Sequence, residues 1–277
     1  MSVIFAYSSA KPQSGYTSAV TGYACKLANA LNYKAVMLSS QTEASVLAMA
    51  AQEGLPAIAI GLTDIPSHWS CFVLKARPYA DQHGDGPSMH ALMPEAIPSV
   101  TVDPHCATIV LANPAWLVTD SVINSLNQWC AQHAVTRLNL SASPRTNPLL
   151  WEEVIECWPQ QLEVPVTCNP WHPAQCGENQ YLNMLAEASW QLLLGTSRSM
   201  AAEMAMFAAP IILRGDDKAQ DARFFAATQA HAALHTRYHA FDADHTVPHI
   251  SHTPYDVTSD YVAEAVKLYR QWQQEAA

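Results

Sequence analysis

One stretch of the sequence, residues 190–214, most constrains the fold, because it predicts a strand, a tight turn, a helix and another strand in direct succession. Residues 191–194 form an apolar run of strand length, and Gly195 after them can adopt backbone angles that are closed to other residues. Pro210 ends a predicted helix that reaches about residue 209, and residues 211–213 predict the next buried strand. A unit of this kind is typical of an α/β protein with a parallel sheet.

The turn at the start of this helix predicts a binding site for phosphate. Thr196 and Ser197 are residue types that cap helices, so we expect the helix to begin at Arg198 or Ser199. Its first backbone N–H groups and its dipole would then favour an anion. Glu203 lies one turn after Ser199, where it would accept hydrogen bonds from ribose hydroxyls. The alternative is a purely structural turn, because most strand-to-helix turns bind nothing.

The same alternation of strands and helices covers the rest of the chain and predicts two α/β halves with parallel sheets. The predicted strands lie at residues 3–7, 35–38, 56–60, 70–75, 107–112, 135–140 and 164–168. The predicted helices lie at residues 20–31, 42–53, 120–133, 149–158, 179–188 and 220–236. We expect halves at residues 1–133 and 134–255, with a last helix in residues 256–277 that packs back on the first half. Its cap would be Thr258 or Ser259, and its apolar face comprises Val262, Ala265, Val266, Tyr269 and Trp272.

Charge and cysteine content restrict the partners and the location. The 277 residues carry 14 Lys and Arg against 24 Asp and Glu, a net charge of −10, which disfavours nucleic acid and anionic membranes as partners. Seven scattered Cys do not form a disulfide framework and indicate reduced thiols. The N-terminus lacks a basic signal region, and no apolar run is long enough for an integral membrane segment. We therefore expect a cytoplasmic protein.

Three loops that follow predicted strands are expected to line one cleft, because ligands bind beyond the carboxyl ends of strands in open parallel sheets. These loops are residues 8–15, 141–148 and 195–199. Arg145, in the second loop, is a candidate clamp for a diphosphate, since its guanidinium can hold two oxygens at once. The alternative is a solvated loop arginine.

One set of residues carries a resemblance to a known family. The set comprises Asn179, Tyr181, Ser197, Ser199, Met200 and Glu203, with Arg145 and Thr146 in the segment SASPRT. It resembles the mitochondrial fission ELM family, whose bacterial members are often labelled nucleoside-diphosphate-sugar epimerases. The early segment AKPQSGYTSAVTGYACKLANAL is similar more loosely. The sequence departs from the family pattern at Thr196, where Asp is usual, and at Pro12, Arg198 and Ala202.

The resemblance implies a GT-B-like architecture of two facing Rossmann-like halves, the second for the nucleotide of a sugar donor and the first for an unidentified acceptor. It implies a nucleotide-sugar-binding protein, with glycosyl transfer as the leading activity. The alternatives are a sugar-nucleotide epimerase and a catalytically silent interaction module. No cofactor is expected besides the nucleotide sugar as substrate. The predicted nucleotide-binding residues are Ser143, Arg145, Thr146, Gly195, Thr196, Ser197, Arg198, Ser199 and Glu203.

Four residues are candidates for acid–base chemistry on the acceptor. Asp103 and His105 form a carboxylate–imidazole pair of the kind that a general base requires. Lys11 and Gln13 lie in the first strand-to-helix loop, where the topology favours a site. Exposed loop residues without a catalytic role are the alternative.

Two groups of potential metal ligands could hold Zn²⁺, but we expect no metal, because the first lacks the spacing of a recognised zinc site and the second is more typical of a surface loop. The first comprises Cys168, His172 and Cys176, and the second comprises His245, His249 and His252 beside Asp242 and Asp244.

Overall fold

The computed structural model of the chain describes residues 3–7, 15–38, 58–60, 72–74, 87, 92, 96–112, 114, 120–169, 179–215, 217–229 and 232–275. In chain order the elements are β1 (Val3–Tyr7), α1 (Gly15–Leu31), β2 (Lys34–Leu38), β3 (Ile58–Ile60), β4 (Phe72–Leu74), β5 (Asp103–Leu111), α2 (Asp120–Gln132), β6 (Arg137–Ala142), α3 (Pro148–Gln161), β7 (Val166–Cys168), α4 (Tyr181–Glu187), β8 (Ala188–Leu194), α5 (Arg198–Met204), β9 (Ile211–Arg214), α6 (Lys218–Gln229), α7 (Ala232–His235), β10 (Tyr238–Ala240) and α8 (Val257–Glu275). The predicted α/β class with parallel sheets is confirmed.

The chain divides into two compact units, and the boundary differs from the predicted one. The first unit comprises Met1–Met93 and Asp256–Ala277, and the second comprises Pro94–Tyr255. The predicted boundary near residue 134 is wrong, because β5 pairs with β6 and β8 and therefore belongs to the second sheet. Pairing between strands distant in the chain decides the boundary, and the local alternation of elements does not reveal it.

The first unit holds a four-stranded parallel sheet in the order β2-β1-β3-β4. Helices α1 and α8 pack on it around a core that includes Ile4, Leu27, Ile58 and Tyr269. The predicted helix at residues 42–53 lies outside the described residues.

Helix α8 belongs to the first unit and buries the face that the sequence predicts. Val262, Ala265 and Tyr269 are buried, and Val266 and Trp272 pack against the same core. The phenol oxygens of Tyr33 and Tyr269 lie 3.1 Å apart, within hydrogen-bond distance. The return of the last helix to the first unit is therefore confirmed.

The cap of α8 is Asp256, so the predicted cap at Thr258 or Ser259 is wrong. The Asp256 carboxylate accepts from the backbone N–H groups of both those residues, at 3.0 and 3.3 Å. It also accepts from the Lys26 ammonium on α1 at 2.7 Å, and only 8% and 16% of the Lys26 and Asp256 side chains are exposed. One carboxylate thus caps α8 and ties it to α1.

The second unit holds a six-stranded parallel sheet in the order β10-β9-β8-β5-β6-β7. If β5 to β10 are numbered 1 to 6 along the chain, this order is 6-5-4-1-2-3. Read from the opposite edge of the sheet, it is the Rossmann order 3-2-1-4-5-6. The chain leaves β5 toward β6 on one side and leaves β8 toward β9 on the other. The pair β5 and β8 is therefore the point where the strand order reverses.

The two faces of this sheet differ in polarity. One face is apolar and lies in the main core with α2 and α3, through Ala107, Ile109, Leu111, Leu138, Leu140, Trp190, Leu192 and Leu194. The opposite face carries the buried polar side chains Thr108, Asn139, Ser141 and Gln191. Two of these donate to carbonyls in the last turn of α4, Thr108 to Met184 at 2.6 Å and Gln191 to Leu185 at 3.2 Å. The polar face therefore satisfies helix-end carbonyls that have no partner within the helix.

Several predicted boundaries are wrong. The helix predicted to reach residue 209 ends at Met204, because the carbonyls of Ala205 and Ala208 accept instead from the N–H groups of Tyr255 and His252. Helices α6 and α7 cover most of the helix predicted at residues 220–236, with residues 230–231 between them outside the described part, and strand β10 follows where we predicted only a loop. No helix in the described part of the chain combines the length and the hydrophobicity that a bilayer crossing requires.

Candidate functional site

Gly195 lies at the point where the strand order of the second sheet reverses, which is where open α/β sheets bind ligands. Gly195 follows β8 with φ of +97°, a backbone angle that other residues rarely adopt. A Cβ on Gly195 would lie 2.8 Å from the carbonyl oxygen of Ala112 and 3.0 Å from the nitrogen of Pro114. Gly195 therefore lets the turn after β8 pack directly against the backbone that leaves β5.

The turn after Gly195 begins a helix as predicted. Ser197 is extended, with φ of −141°, and its hydroxyl accepts from the backbone N–H of Met200, which makes it the N-cap of α5. The helix starts at Arg198 and is seven residues long, shorter than predicted. Thr196, Ser197, Arg198 and Ser199 are all partly exposed, so a ligand can reach this turn.

The loop after β6 is fixed to the end of β5 by two buried hydroxyl residues. The Thr146 hydroxyl donates to the carbonyl of Leu111 at 2.6 Å and accepts from the N–H of Ser143 at 2.8 Å. The Ser143 hydroxyl accepts from the N–H of Arg145 at 3.1 Å. Ser143 and Thr146 therefore stabilise the loop, and Arg145 is the exposed member that can meet a ligand.

Strand spacing sets the distance between these two loops. Strand β6 neighbours β5, which neighbours β8, so the carboxyl ends of β6 and β8 lie about 10 Å apart at the usual strand separation. Arg214 ends β9 on the other side of β8, and its carbonyl accepts from the N–H of Gly195 at 2.7 Å. Three of the eight arginines in this acidic chain, Arg145, Arg198 and Arg214, thus follow or end strands at one edge. Arg214 is not among the predicted site residues, although its place at the end of a predicted strand is a usable signal.

Two asparagines that the sequence does not mark as ligand contacts lie at this edge, one directly after β7 and the other shortly before α4. The buried Asn169 side chain donates to the hydroxyl of Ser141 at 3.0 Å and to the side-chain oxygen of Asn179 at 3.2 Å. Asn169 also accepts from the N–H of Gln180, and Asn179 accepts from the N–H of Tyr181. This network fixes the start of α4 beside the same edge. Because Asn169 directly follows a predicted strand, its position was the signal.

A small pocket lies between the turn after β8 and helix α6. It is lined by Gly195, Thr196, Ser197, Gly215 and Phe225, among others, and has a volume of about 30 Å³. The Asp221 carboxylate closes one side by accepting from the N–H of Gly215 at 3.0 Å. The pocket has room for a water or one phosphate oxygen, but not for a nucleobase.

Glu203 is partly buried and pairs with Tyr181. The Tyr181 hydroxyl donates to the Glu203 carboxylate at 3.1 Å. Burial raises the pKa of Glu203 to about 7, although the hydrogen bond from Tyr181 opposes this shift. Burial also raises the pKa of Tyr181, so its phenol stays neutral. Glu203 is therefore the carboxyl group on α5 that gains or loses a proton near neutral pH.

The raised pKa of Glu203 predicts a pH-dependent stability. An acid whose folded pKa exceeds its unfolded value stabilises the fold below the unfolded pKa, near 4.5, and loses this contribution as pH rises through about 7. We expect the free energy of unfolding of the wild type to fall by about 2–3 kcal/mol between pH 5 and pH 8 because of Glu203. Glu203→Gln should not show this fall, because glutamine does not titrate. Urea unfolding of both proteins at pH 5, 6, 7 and 8 measures this difference. Parallel curves for the two proteins would show that Glu203 does not titrate in this range.

Asp103 and His105 lie at the wrong end of the sheet for the predicted chemistry. Both belong to the start of β5, where Asp103 lies about 26 Å and His105 about 20 Å from the carboxyl end of the strand at the usual rise per residue. The Asp103 carboxylate pairs with Arg137 at 2.9 Å and accepts from the N–H of His105 at 2.9 Å. These contacts hold the pKa of Asp103 below its ordinary value, the N–H contributing most. Both residues belong to the second unit and lie at the amino edge of its sheet. We therefore do not propose them as acid–base residues.

The other candidate residues divide into those outside and those inside the described part of the chain. Lys11, Gln13, His172 and Cys176 lie outside the described residues. His245 pairs with Asp242 at 2.6 Å, and the His249 ring contacts the carbonyl of Ser189 at 3.1 Å. Among the described residues, no three His, Cys, Asp or Glu are grouped closely enough to hold a metal ion.

Comparison with known proteins adds no family assignment. No protein-family model matches the chain, and no curated protein matches it significantly. The resemblance to the mitochondrial fission ELM family therefore rests on the residues quoted above and stays a prediction.

Proposed function

We propose that the second unit binds the nucleotide of a nucleotide sugar at the carboxyl edge of its sheet, between β5 and β8. The observation that carries this proposal is the Rossmann strand order with Gly195, at φ of +97°, on the reversal point. The close approach of Gly195 to Ala112 brings two strand-end loops together, as a ligand that spans the crevice requires.

The groups at this edge favour a diphosphate over an uncharged ligand. Helix α5 begins there with Ser197 as its cap, so its first N–H groups and dipole favour negative charge, although this helix is short. Arg145 lies two strands away, about 10 Å at strand spacing, which suits a group that bridges both loops. Guanidinium groups bind phosphate oxygens in pairs. The diphosphate thus lies between the turn after β8 and Arg145.

Glycosyl transfer is the leading activity of this proposal, in a GT-B-like arrangement whose first unit receives the acceptor. In this function Glu203 accepts from the ribose hydroxyls and takes no part in proton transfer. The alternative is a sugar-nucleotide epimerase, which needs acid–base residues around the sugar, and the Glu203–Tyr181 pair is the observation that favours it. Glu203→Gln separates the two, because glutamine keeps a hydrogen-bonding oxygen but cannot exchange a proton. A transferase keeps most of its turnover with this change, and an epimerase that uses Glu203 loses it.

Calorimetric titration with a nucleoside diphosphate and with the matching nucleoside tests the proposed site. Arg145→Ala removes a charge-assisted contact, so we expect it to weaken the diphosphate by about 1.5–3 kcal/mol and to leave the nucleoside unchanged. Glu203→Ala should weaken both ligands equally, because both carry the ribose. Ser199→Ala should cost less, since backbone N–H groups make most of the phosphate contacts.

The matched control is Arg270→Ala, which removes an exposed arginine of α8 in the other unit. It should leave both affinities unchanged. If Arg145→Ala binds the nucleoside diphosphate as tightly as the wild type, the diphosphate does not lie at this edge and the turn is structural. A catalytically silent module would bind the nucleotide sugar in the same way and show no turnover.

A further inference from the structure

The last segment of the second unit, residues 241–255 between β10 and the end of the unit, forms no helix or strand, and we call it the strap. It starts at the carboxyl end of β10 and runs to the amino edge of the sheet, where it contacts the start of β8. Its Phe241 and Val247 side chains pack against the main core. The strap therefore covers part of the second unit, and a few polar contacts hold it in place.

His133, directly after α2, holds the middle of the strap. Its Nε2 accepts from the backbone N–H of Val247 at 3.0 Å, and its Nδ1 lies 2.9 Å from the carbonyl of Trp129. A carbonyl can only accept, so the neutral ring carries its proton on Nδ1 and its lone pair on Nε2. The bond to Val247 therefore requires a neutral imidazole.

The surroundings of His133 keep it neutral at pH 7. The residue is only 9% exposed, and its ring stacks on Trp129 at 4.6 Å and meets the edge of Trp190 at 4.8 Å. Burial lowers the pKa of His133 below its ordinary value of 6.5, although the bond to the Trp129 carbonyl opposes this shift. A proton on Nε2 would place two N–H donors 3.0 Å apart without an acceptor between them, so acid breaks the bond to Val247.

The other imidazoles near His133 make contacts that do not require a neutral ring. The Nε2 of His249 lies 3.1 Å from the carbonyl of Ser189, and the Nδ1 of His105 lies 3.0 Å from that of Ala134. A nitrogen that donates to a carbonyl does so in both charge states of the ring. Strand β8 and the half of α2 next to His133 carry no charged side chain.

The remaining titratable groups of the strap and of β10 do not bond to the Val247 N–H. Asp244 accepts from a side chain of α2 at 2.9 Å, and Asp242 pairs with His245 at 2.6 Å, a contact that a proton on His245 strengthens. Burial lowers the pKa of His239 and of His252. These two histidines are therefore the groups from which the effect of His133 has to be separated.

We propose that the strap is an acid-sensitive switch, which is closed while His133 is neutral and opens when His133 takes up a proton. Opening uncovers the ring of Trp190, which is 3% exposed and on which the ring of His249 packs at 4.9 Å. It also removes the wall that His249, Ser251 and Pro254 give to a cavity of about 310 Å³. The switch does not depend on the proposed nucleotide site.

Hydrogen exchange of the Val247 amide, followed by NMR of the full chain between pH 7.5 and pH 5, tests the switch. After correction for the intrinsic exchange rate, it gives the equilibrium constant for local opening. Opening returns His133 to its ordinary pKa, so the open form gains a proton below pH 6.5 and the constant should rise by up to about thirtyfold. The amide of Leu138, which donates to the carbonyl of Pro165 in the sheet, reports opening of the whole unit and should stay protected.

Three variants separate His133 from the other groups. His133→Gln keeps an acceptor but does not titrate, so the corrected exchange of Val247 should not change with pH. His133→Leu has no acceptor and should leave Val247 unprotected already at pH 7.5. The matched control His245→Gln changes a histidine of the strap whose side chain is 80% exposed, and it should keep the response of the wild type.

The wild type alone decides the question if the variants do not fold. The imidazole of His133 should titrate below pH 6.5, and the amide shift of Val247 should follow the same curve, because the two groups share a hydrogen bond. The proposal is wrong if the two curves differ, or if Leu138 loses protection together with Val247. It is also wrong if the acid response persists in His133→Gln, which would point to His252 or His239, or if His133→Leu protects Val247 as the wild type does.

Discussion

Gly195→Ala is expected to destabilise the second unit by about 3 kcal/mol, because two separate strains add at this position. The backbone has φ of +97°, and the new methyl group would lie 2.8 Å from the carbonyl oxygen of Ala112. The conflicting atoms belong to backbone at the end of a central strand, so they cannot move aside as a side chain does. Urea unfolding followed by the near-ultraviolet signal of the buried Trp129 and Trp190 measures the loss.

Gly215→Ala is the matched control for this change. A Cβ on Gly215 would lie 2.0 Å from a carboxylate oxygen of Asp221, but a side-chain oxygen can rotate away. We therefore expect a smaller loss, about 1 kcal/mol, mainly from the hydrogen bond between Asp221 and the Gly215 N–H. Equal stability of Gly195→Ala and the wild type would show that the turn after β8 does not require glycine.

Asp256→Ala is expected to destabilise the first unit by about 3–5 kcal/mol. The change leaves the Lys26 ammonium, with 8% of its side chain exposed, without its carboxylate, and it removes the cap of α8. Because the chain has two units, whole-protein unfolding would mix their contributions. Amide hydrogen exchange of α1 and α8 therefore measures the loss locally.

The matched control is Glu264→Ala, which removes an exposed carboxylate from the same helix. It should leave the exchange rates of α1 and α8 nearly unchanged. If the amides of α1 and α8 exchange as slowly in Asp256→Ala as in the control, the Lys26–Asp256 pair contributes little to the stability of the first unit.

Local patterns in the sequence predict much of this fold. The apolar face of α8 and the start of α5 at Arg198 were both predicted, because side-chain period and capping chemistry are local properties. The cap of α8 was not predicted at Asp256, whose position is also set by a contact with Lys26, far away in the chain. The end of α5 depends likewise on a distant segment, which bonds to the carbonyls of Ala205 and Ala208.

The candidate site was predictable in part for the same reason. Gly195 and Arg145 follow predicted strands, and parallel strands bring such positions to one edge. The predicted strand at residues 107–112 starts after Asp103 and His105, because the apolar run begins only beyond them, whereas β5 itself starts at Asp103. Which sheet β5 joins depends on its pairing with β8, some eighty residues later, and no local pattern reports that pairing.

Amide-resolved NMR of the full chain during titration with a nucleoside diphosphate tests the central claim most directly. The account predicts that the largest shifts fall at residues 195–199 and 143–146, at the carboxyl edge of the second sheet. The amides of Asp103 and His105, at the amino edge of the same sheet, should stay nearly unchanged. Two results would contradict the proposal that the carboxyl edge binds the diphosphate. One is that the shifts are concentrated at the amino edge, and the other is that residues 195–199 do not shift at a saturating concentration of the nucleotide.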